Sequence, residues 1–198
     1  MGAEEKGLEA SYWQKGLLVA GVDEVGRGAV AGPLVACAVI LKPFCNLPLK
    51  DSKKLSKKRR KELSGLIRDS CVSIGIGVVD SALIDSVGIS RANIIAMKRA
   101  LEDLKTEFDV VISDYFSIDG YRCVSFAKAD EKSLCCAASS IVAKTFRDEI
   151  MSHFDKVFKP YGFEKNVGYL TRSHLKALKE FGPCEIHRFS FSPLKDLV

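Results

Sequence analysis

The chain has 198 residues, 47% of them hydrophobic and 28% charged, with 30 Lys and Arg against 25 Asp and Glu for a net charge of +5. That balance fits one ordinary globular domain and excludes a disordered or fibrous chain. No apolar run approaches the roughly 20 residues that cross a bilayer, and the polar N-terminus lacks a signal peptide's apolar core. No membrane is expected, and the cytoplasm is the expected compartment.

Residues 1–16 read as a polar leader. Leu17–Asp23 and Leu34–Leu41 are continuous apolar, β-branched runs, the pattern of buried strands. Ser56 to Ile67 reads as a helix capped by Ser56, with Leu63, Leu66 and Ile67 on one face. Its start lies in the basic run Lys50–Lys61. Such a run fits a solvated helix start as well as a contact with a polyanion such as nucleic acid.

Cys71–Val79 reads as a strand with Gly75 and Gly77 along one side, and Asp80-Ser81 suits a helix cap. Ser90–Lys105 carries Ile94, Met97, Leu101 and Leu104 at helical spacing. Asp109–Ser113 is a short strand ending at Asp114, and Cys123–Ala127 is a further one. A long helix is predicted from Glu131, and a last one over Thr171–Phe181, closed by Gly182-Pro183. Short loops first and strand–helix alternation later predict an α/β fold, a mixed sheet flanked by helices. The seven cysteines form no C-x-x-C pair and read as small buried hydrophobes in a reducing compartment. His153, His174 and His187 lie in no ligand-spaced motif.

The stretch VAGVDEVGRGAVAGPLVACAVIL, Val19 to Leu41, carries the chemistry. Gly26-x-Gly28-x-x-Ala31 fits a loose dinucleotide-binding fingerprint, with Asp51 where a ribose acid would sit. That fingerprint must open a helix, and here a strand-like segment follows. Asp23 and Glu24 would also repel a pyrophosphate. The other reading is a site for Mg²⁺ or Mn²⁺, which favour hard oxygen ligands. Adjacent strand residues face opposite ways, so Asp23 and Glu24 share a metal only if the strand ends or twists between them. Asp114 and Asp130 also stand where predicted strands run out. A helix cap competes for Asp130, while Tyr115-Phe116 after Asp114 opens no helix. Asp119, Asp148 and Asp155 are further acids. Asp148 lies beside Arg147 within a helix, where a structural ion pair is the commoner role.

Together these residues resemble the ribonuclease HII family. Gly21 to Pro33 looks like that family's first catalytic motif, and Asp51-Ser52-Lys53-Lys54-Leu55-Ser56 like its next. Ala127-Lys128-Ala129-Asp130 resembles the segment of its last metal acid, followed by Ala138 to Lys144. Gly168-Tyr169, Thr171, His174, Gly182-Pro183 and His187-Arg188-x-Ser190-Phe191 complete the pattern, which runs from about Leu18 to Pro193. Two positions depart from it: Tyr115 stands where the family has a small residue, and Leu170 where it has Gly.

The resemblance implies a ribonuclease H-like mixed sheet flanked by helices, with a C-terminal helical extension. It places the catalytic core at 17–160 and a C-terminal segment at 161–198 that packs on the core and contributes to substrate binding. It implies hydrolysis of RNA in RNA–DNA hybrids and cutting 5′ of single ribonucleotides embedded in duplex DNA. The associated roles are ribonucleotide removal and RNA primer degradation. By resemblance Asp23, Glu24, Asp114 and Asp130 are catalytic and hold two Mg²⁺ or Mn²⁺ ions. Gly26, Arg27 and Gly28 read the 2′-OH, and Tyr169 packs at the ribose–DNA junction. Lys53, with Lys54 and the basic run, would hold phosphates without reading bases. The expected partner is RNA–DNA hybrid or ribonucleotide-containing duplex, and the expected state is a monomer. Two other readings stand beside this one. A non-catalytic binding module would need no converging acids. A ribonuclease HIII-like enzyme would usually carry a further N-terminal domain.

Overall fold

The computed structural model describes residues 7–49 and 55–196. Five strands, β1 (Val19–Val25), β2 (Leu34–Leu41), β3 (Cys71–Val79), β4 (Val110–Asp114) and β5 (Cys123–Phe126), form one sheet in the order β3-β2-β1-β4-β5. β1 pairs antiparallel with β2 and parallel with β4, so the sheet is mixed. The helices are α1 (Ala10–Trp13), α2 (Lys57–Ser70), α3 (Ser81–Val87), α4 (Ile89–Glu102), α5 (Leu134–Val157), α6 (Phe163–Asn166) and α7 (Arg172–Phe181). Among the described residues, none is long and apolar enough to cross a membrane.

The unbroken apolar run of β2 follows from burial on both faces. Val35, Cys37, Val39 and Leu41 pack with Leu63 and Ile67 of α2 and Ala138, Ile141 and Val142 of α5. Leu34, Ala36, Ala38 and Ile40 pack against Ala92, Ala96, Met97 and Ala100 of α4. α4 rides so close on β3 that a Cβ at Gly77 would fall 1.9 Å from the Ala96 carbonyl oxygen, and one at Gly75 2.1 Å from that of Ala100. The two glycines are therefore demanded by helix approach. Leu63 and Ile67 are fully buried, each contributing about 1.5–3 kcal/mol. Leu66, expected on the same face, is exposed instead, because the i, i+4 pair takes the inner line and leaves i+3 on the rim.

Caps set the helix starts. The Ser56, Asp80 and Thr171 side chains accept from the N–H groups of Arg59, Leu83 and His174. The long helix was predicted from Glu131 but begins at Leu134. Ser133 is its cap, accepting from Cys136 N–H at 3.0 Å, and Ala129–Glu131 forms a separate 3₁₀ turn. The leader is not featureless either. Trp13 of α1 is buried in the core, and Glu9 Oε1 accepts from Cys135 N–H at 2.8 Å and from the Ser133 hydroxyl. A carboxylate at the positive end of α5 is favourable. A third apolar cluster joins Tyr161, Phe163, Ala177, Leu178 and Ile186 of the C-terminal segment to Val30, Ala31 and Met151.

Candidate active site

β1 and β4 are parallel, with Val22 opposite Ser113. The next residues are Asp23, two residues short of the end of β1, and Asp114, the last of β4, so both lie toward the C-terminal ends of neighbouring parallel strands, where ligands gather in such sheets. Of the two conditions expected for metal sharing, an end or a twist of the strand, β1 does not meet the first, since it does not end between Asp23 and Glu24. Both stay paired with β2, opposite Cys37 and Ala36, and the bend comes later at Gly26. Instead the Asp23 carboxylate folds back along the strand, with Oδ1 accepting from Glu24 N–H at 2.8 Å.

Burial and the negative charges of Glu24 and Asp114 hold the Asp23 carboxyl well above the usual carboxylate range, against the pull of the Ser140 side chain. Burial also raises Glu24, with Asp114 adding to the shift and the nearby Arg27 charge opposing it. Asp114 Oδ1 accepts from Ala129 N–H at 3.0 Å, fastening the turn in which Asp130 is buried. The structure thus brings Asp23, Glu24 and Asp114 within reach of one another's charge and sets Asp130 in the turn that Asp114 holds. Among the described residues, no group of three or more His, Cys, Asp or Glu is closed around an ion-sized centre. The donor set nevertheless suits a hard cation. Among the described residues Glu24 Oε2 is buried without a hydrogen-bond partner, and neighbouring negative charges, that of Asp114 among them, oppose the ionisation of Asp23 and Glu24 at one partly buried place.

The glycine loop between β1 and β2 is clamped from beneath by two arginines, Arg147, which the sequence suggested as an ion-pair partner of Asp148, and Arg188 of the C-terminal pattern. Arg147 of α5 is 1% exposed and donates to the carbonyls of Pro33 (2.8 Å), Ala31 (3.1 Å) and Val167 (2.8 Å). Arg188 is 0% exposed and donates to Gly32 (3.0 and 2.9 Å) and Arg27 (3.1 Å). Among the described residues, neither lies in an ion pair. Burial lowers both, Arg188 to about 9 with the Arg147 charge as the second cause. Gly26, at φ +88°, leaves the Arg147 guanidinium its space: a Cβ there would lie 2.2 Å from Nε.

Gly28 is exposed, and a Cβ on it would be 3.9 Å from Tyr169 Cε1, so the loop and Tyr169 are brought together as expected. The 167–169 segment is tied to the loop by Val30 and Ala31 N–H groups donating to the Gly168 carbonyl at 2.9 and 3.2 Å. Arg147 also lies 5.9 Å from the Tyr169 ring centroid. Behind it the two histidines form a directed chain. Cys184 N–H donates to His187 Nδ1 (2.9 Å), so His187 Nε2 carries the proton and donates to His174 Nε2 (3.0 Å). His174 Nδ1 then donates to the Tyr169 carbonyl (3.0 Å). Burial lowers both histidines, His187 to about 4 with His174 as the second cause.

Arg27 lies over the Phe116 ring at 4.9 Å. Lys53 and the rest of the Asp51–Lys54 motif lie outside the described residues. Asp148 does form an ion pair, but its partner is Arg60 at 2.9 Å, not the adjacent Arg147, which faces the loop carbonyls. Arg60 is thereby a structural residue rather than an exposed phosphate contact.

The protein-family model described as Ribonuclease HII matches residues 20–193. The chain is 52% identical over 188 residues to Ribonuclease HII of Aquifex aeolicus, covering 94% of this chain and 96% of that one. It is 45% identical over 192 residues to Ribonuclease HII of Lactobacillus delbrueckii subsp. bulgaricus, covering 96% and 75%. Among solved structures, ribonuclease H2 from Pyrococcus horikoshii OT3 aligns with a TM-score of 0.76 at 23% identity, over 91% of this chain and 97% of that one. The ribonuclease HII of the PCNA complex from Archaeoglobus fulgidus aligns with a TM-score of 0.76 at 27% identity, over 89% and 96%. Bst-RNase HIII in complex with Mn²⁺ aligns with a TM-score of 0.72 at 20% identity, over 94% and 70%.

Proposed function

The chain belongs to the ribonuclease HII family and is therefore an endoribonuclease of the ribonuclease H type, and from that premise we propose how its residues divide the work. Its reaction is hydrolysis of the RNA strand of RNA–DNA hybrids and a nick 5′ of a single ribonucleotide in duplex DNA. The products are 3′-OH and 5′-phosphate ends. This is the chemistry of ribonucleotide removal and RNA primer degradation, carried out by a monomer in the cytoplasm.

One observation carries the reading. Three carboxylates feel one another's charge at the shared end of β1 and β4, and one keeps a buried oxygen with no partner. Asp23, Glu24, Asp114 and Asp130 would hold the divalent cations, Mg²⁺ or Mn²⁺. Bound there, two such ions supply the positive charge that activates water and stabilises the leaving 3′-oxygen. The protein's own part is placement. Arg147 and Arg188 fix the carbonyls of the glycine loop, so Gly28 can present its backbone at close range to a 2′-OH. That hydroxyl is the group that tells RNA from DNA. Tyr169, held by the His174 chain, stacks on the sugar beside it and so brings the 161–198 segment into substrate binding. Arg27 and the basic start of α2 neutralise phosphates.

The test is cleavage of an end-labelled RNA–DNA hybrid with Mg²⁺, with Mn²⁺ and in excess chelator. The RNA strand is expected to be cut with either ion and spared in chelator. Cleavage in chelator would overturn the assignment of the acids as cation ligands.

A further inference from the structure

Tyr115 holds a backbone conformation that favours glycine. Its φ is +68°, and Phe116 N–H donates to the Asp114 carbonyl at 2.8 Å. That hydrogen bond closes a three-residue turn with Tyr115 at its apex, the rare and strained hand of the γ-turn. For a bulky residue such a conformation persists only where its surroundings over-determine it. Here they do. Tyr115 N–H donates to the Phe126 carbonyl at 3.0 Å, and the Ser113 hydroxyl donates to the Phe116 carbonyl.

The ring is not what holds the turn. It is 70% exposed, and its ring contact is the edge of Phe116, at 5.2 Å between centroids. A small residue would suit the turn better and cost the core nothing. The position supplies what packing does not. Tyr115 directly follows Asp114, and the Phe116 ring beside it lies under Arg27 of the glycine loop. Arg27, Phe116 and Tyr115 make a continuous row from that loop to the end of β4. Arg27 thus reaches one aromatic of the site while its neighbour Gly28 faces another, Tyr169.

We propose that Tyr115 is a second substrate-contacting aromatic, whose ring stacks on a nucleotide of the strand bound at the adjacent acids. An aromatic face accepts any base or sugar, so the contact adds affinity without sequence preference. The proposal rests on the reading of that edge as a nucleic-acid cleavage site.

Three chains test it: wild type, Tyr115→Phe and Tyr115→Gly, on a hybrid carrying 2-aminopurine beside the cut. Glycine relieves the turn and removes the ring, and phenylalanine keeps the ring. Tyr115→Gly is expected to melt at or above the wild-type temperature, to raise KM about tenfold with kcat nearly unchanged, and to lose the quenching of 2-aminopurine seen on binding. Tyr115→Phe is expected to match wild type in KM and quenching. An unchanged KM in Tyr115→Gly overturns the proposal while leaving the reading of the site intact. So does a fall in melting temperature, which would make the ring a packing element. A wild-type chain that leaves the hybrid uncut overturns both.

Discussion

Gly28 and Tyr169, far apart in the chain, face each other across the candidate site: a methyl group on Gly28 would lie 3.9 Å from the tyrosine ring. That separation is ordinary van der Waals contact, so Gly28→Ala is expected to fold with an unchanged melting temperature. If the loop reads the 2′-OH as proposed, the added methyl would obstruct the ribose, so kcat/KM should fall on continuous hybrids and on single embedded ribonucleotides alike. Gly26→Ala is the control with the opposite outcome. Its methyl would collide with the Arg147 guanidinium at positive φ, and thermal melts should show a loss of stability.

Tyr169→Ala should separate the two substrates. Stacking accepts ribose and deoxyribose alike, so in the proposed role the ring would position the junction rather than recognise the hydroxyl. Within a continuous RNA strand, neighbouring 2′-OH groups can compensate. The ratio of kcat/KM on continuous hybrid to that on a single ribonucleotide is expected to rise about fivefold. Equal losses on the two would make Tyr169 a general contact.

Asp130→Asn and Asp148→Asn should behave in opposite ways. Asp148 and Arg60 form a mostly buried ion pair at 2.9 Å, and leaving Arg60 unpaired costs about 1–3 kcal/mol. Asp148→Asn is expected to lower the denaturation midpoint while turnover persists. Asp130→Asn should cut turnover and weaken metal dependence with little change in midpoint. Swapped phenotypes would remove Asp130 from the ligand set.

Much of this was legible in the sequence. The bounds of β2 follow an unbroken apolar run after Gly32-Pro33, β3 shows as an alternation with Gly75 and Gly77 on one side, and the caps Ser56, Asp80 and Thr171 stand where their side chains announce them. The acids could be named because each stands where an apolar, strand-like run stops, although β1 continues two residues past Asp23 and Asp130 lies in a turn beyond β5. What the sequence hid depends on tertiary contact. An arginine inside a helix looks the same whether it meets an acid or three carbonyls, so the sequence suggests an Asp148–Arg147 pair where the fold pairs Asp148 with Arg60 and turns Arg147 to the loop. The leader's α1 is too short to show periodicity and is held by Glu9 on a helix far along the chain.

The His174–His187 pair gives a pH signature. Both are lowered from the ordinary histidine value, His187 to about 4. Between about 6.5 and 4 the unfolded chain binds protons that the folded pair refuses, so stability falls as pH drops through that window. Melting temperature is expected to decline from pH 7 to pH 5. Replacing His187 with Phe should flatten that decline.

The basic start of α2 has a narrower role than its charge suggests, since Arg60 is paired and buried and Lys57 donates to the Glu164 carbonyl. Neutralising Lys57, Lys58 and Lys61 together should flatten the salt dependence of hybrid binding by about 0.9 in log–log slope per lost phosphate contact. An unchanged slope would leave the run a solvated helix face.

On the proposed reading Asp23 and its neighbouring acids would hold divalent cations, whose charge would activate water for attack at the phosphate 5′ of a ribonucleotide. The direct measurement is cleavage of labelled duplex DNA with one embedded ribonucleotide, by wild type and Asp23→Asn in Mg²⁺, with the ends of the products identified. The account predicts a single nick by wild type, leaving a 3′-OH that a polymerase extends and a 5′-phosphate. It predicts a loss of roughly a hundredfold or more in Asp23→Asn, which still folds. Wild-type rates in Asp23→Asn, or a 2′,3′-cyclic phosphate at the nick, would contradict it.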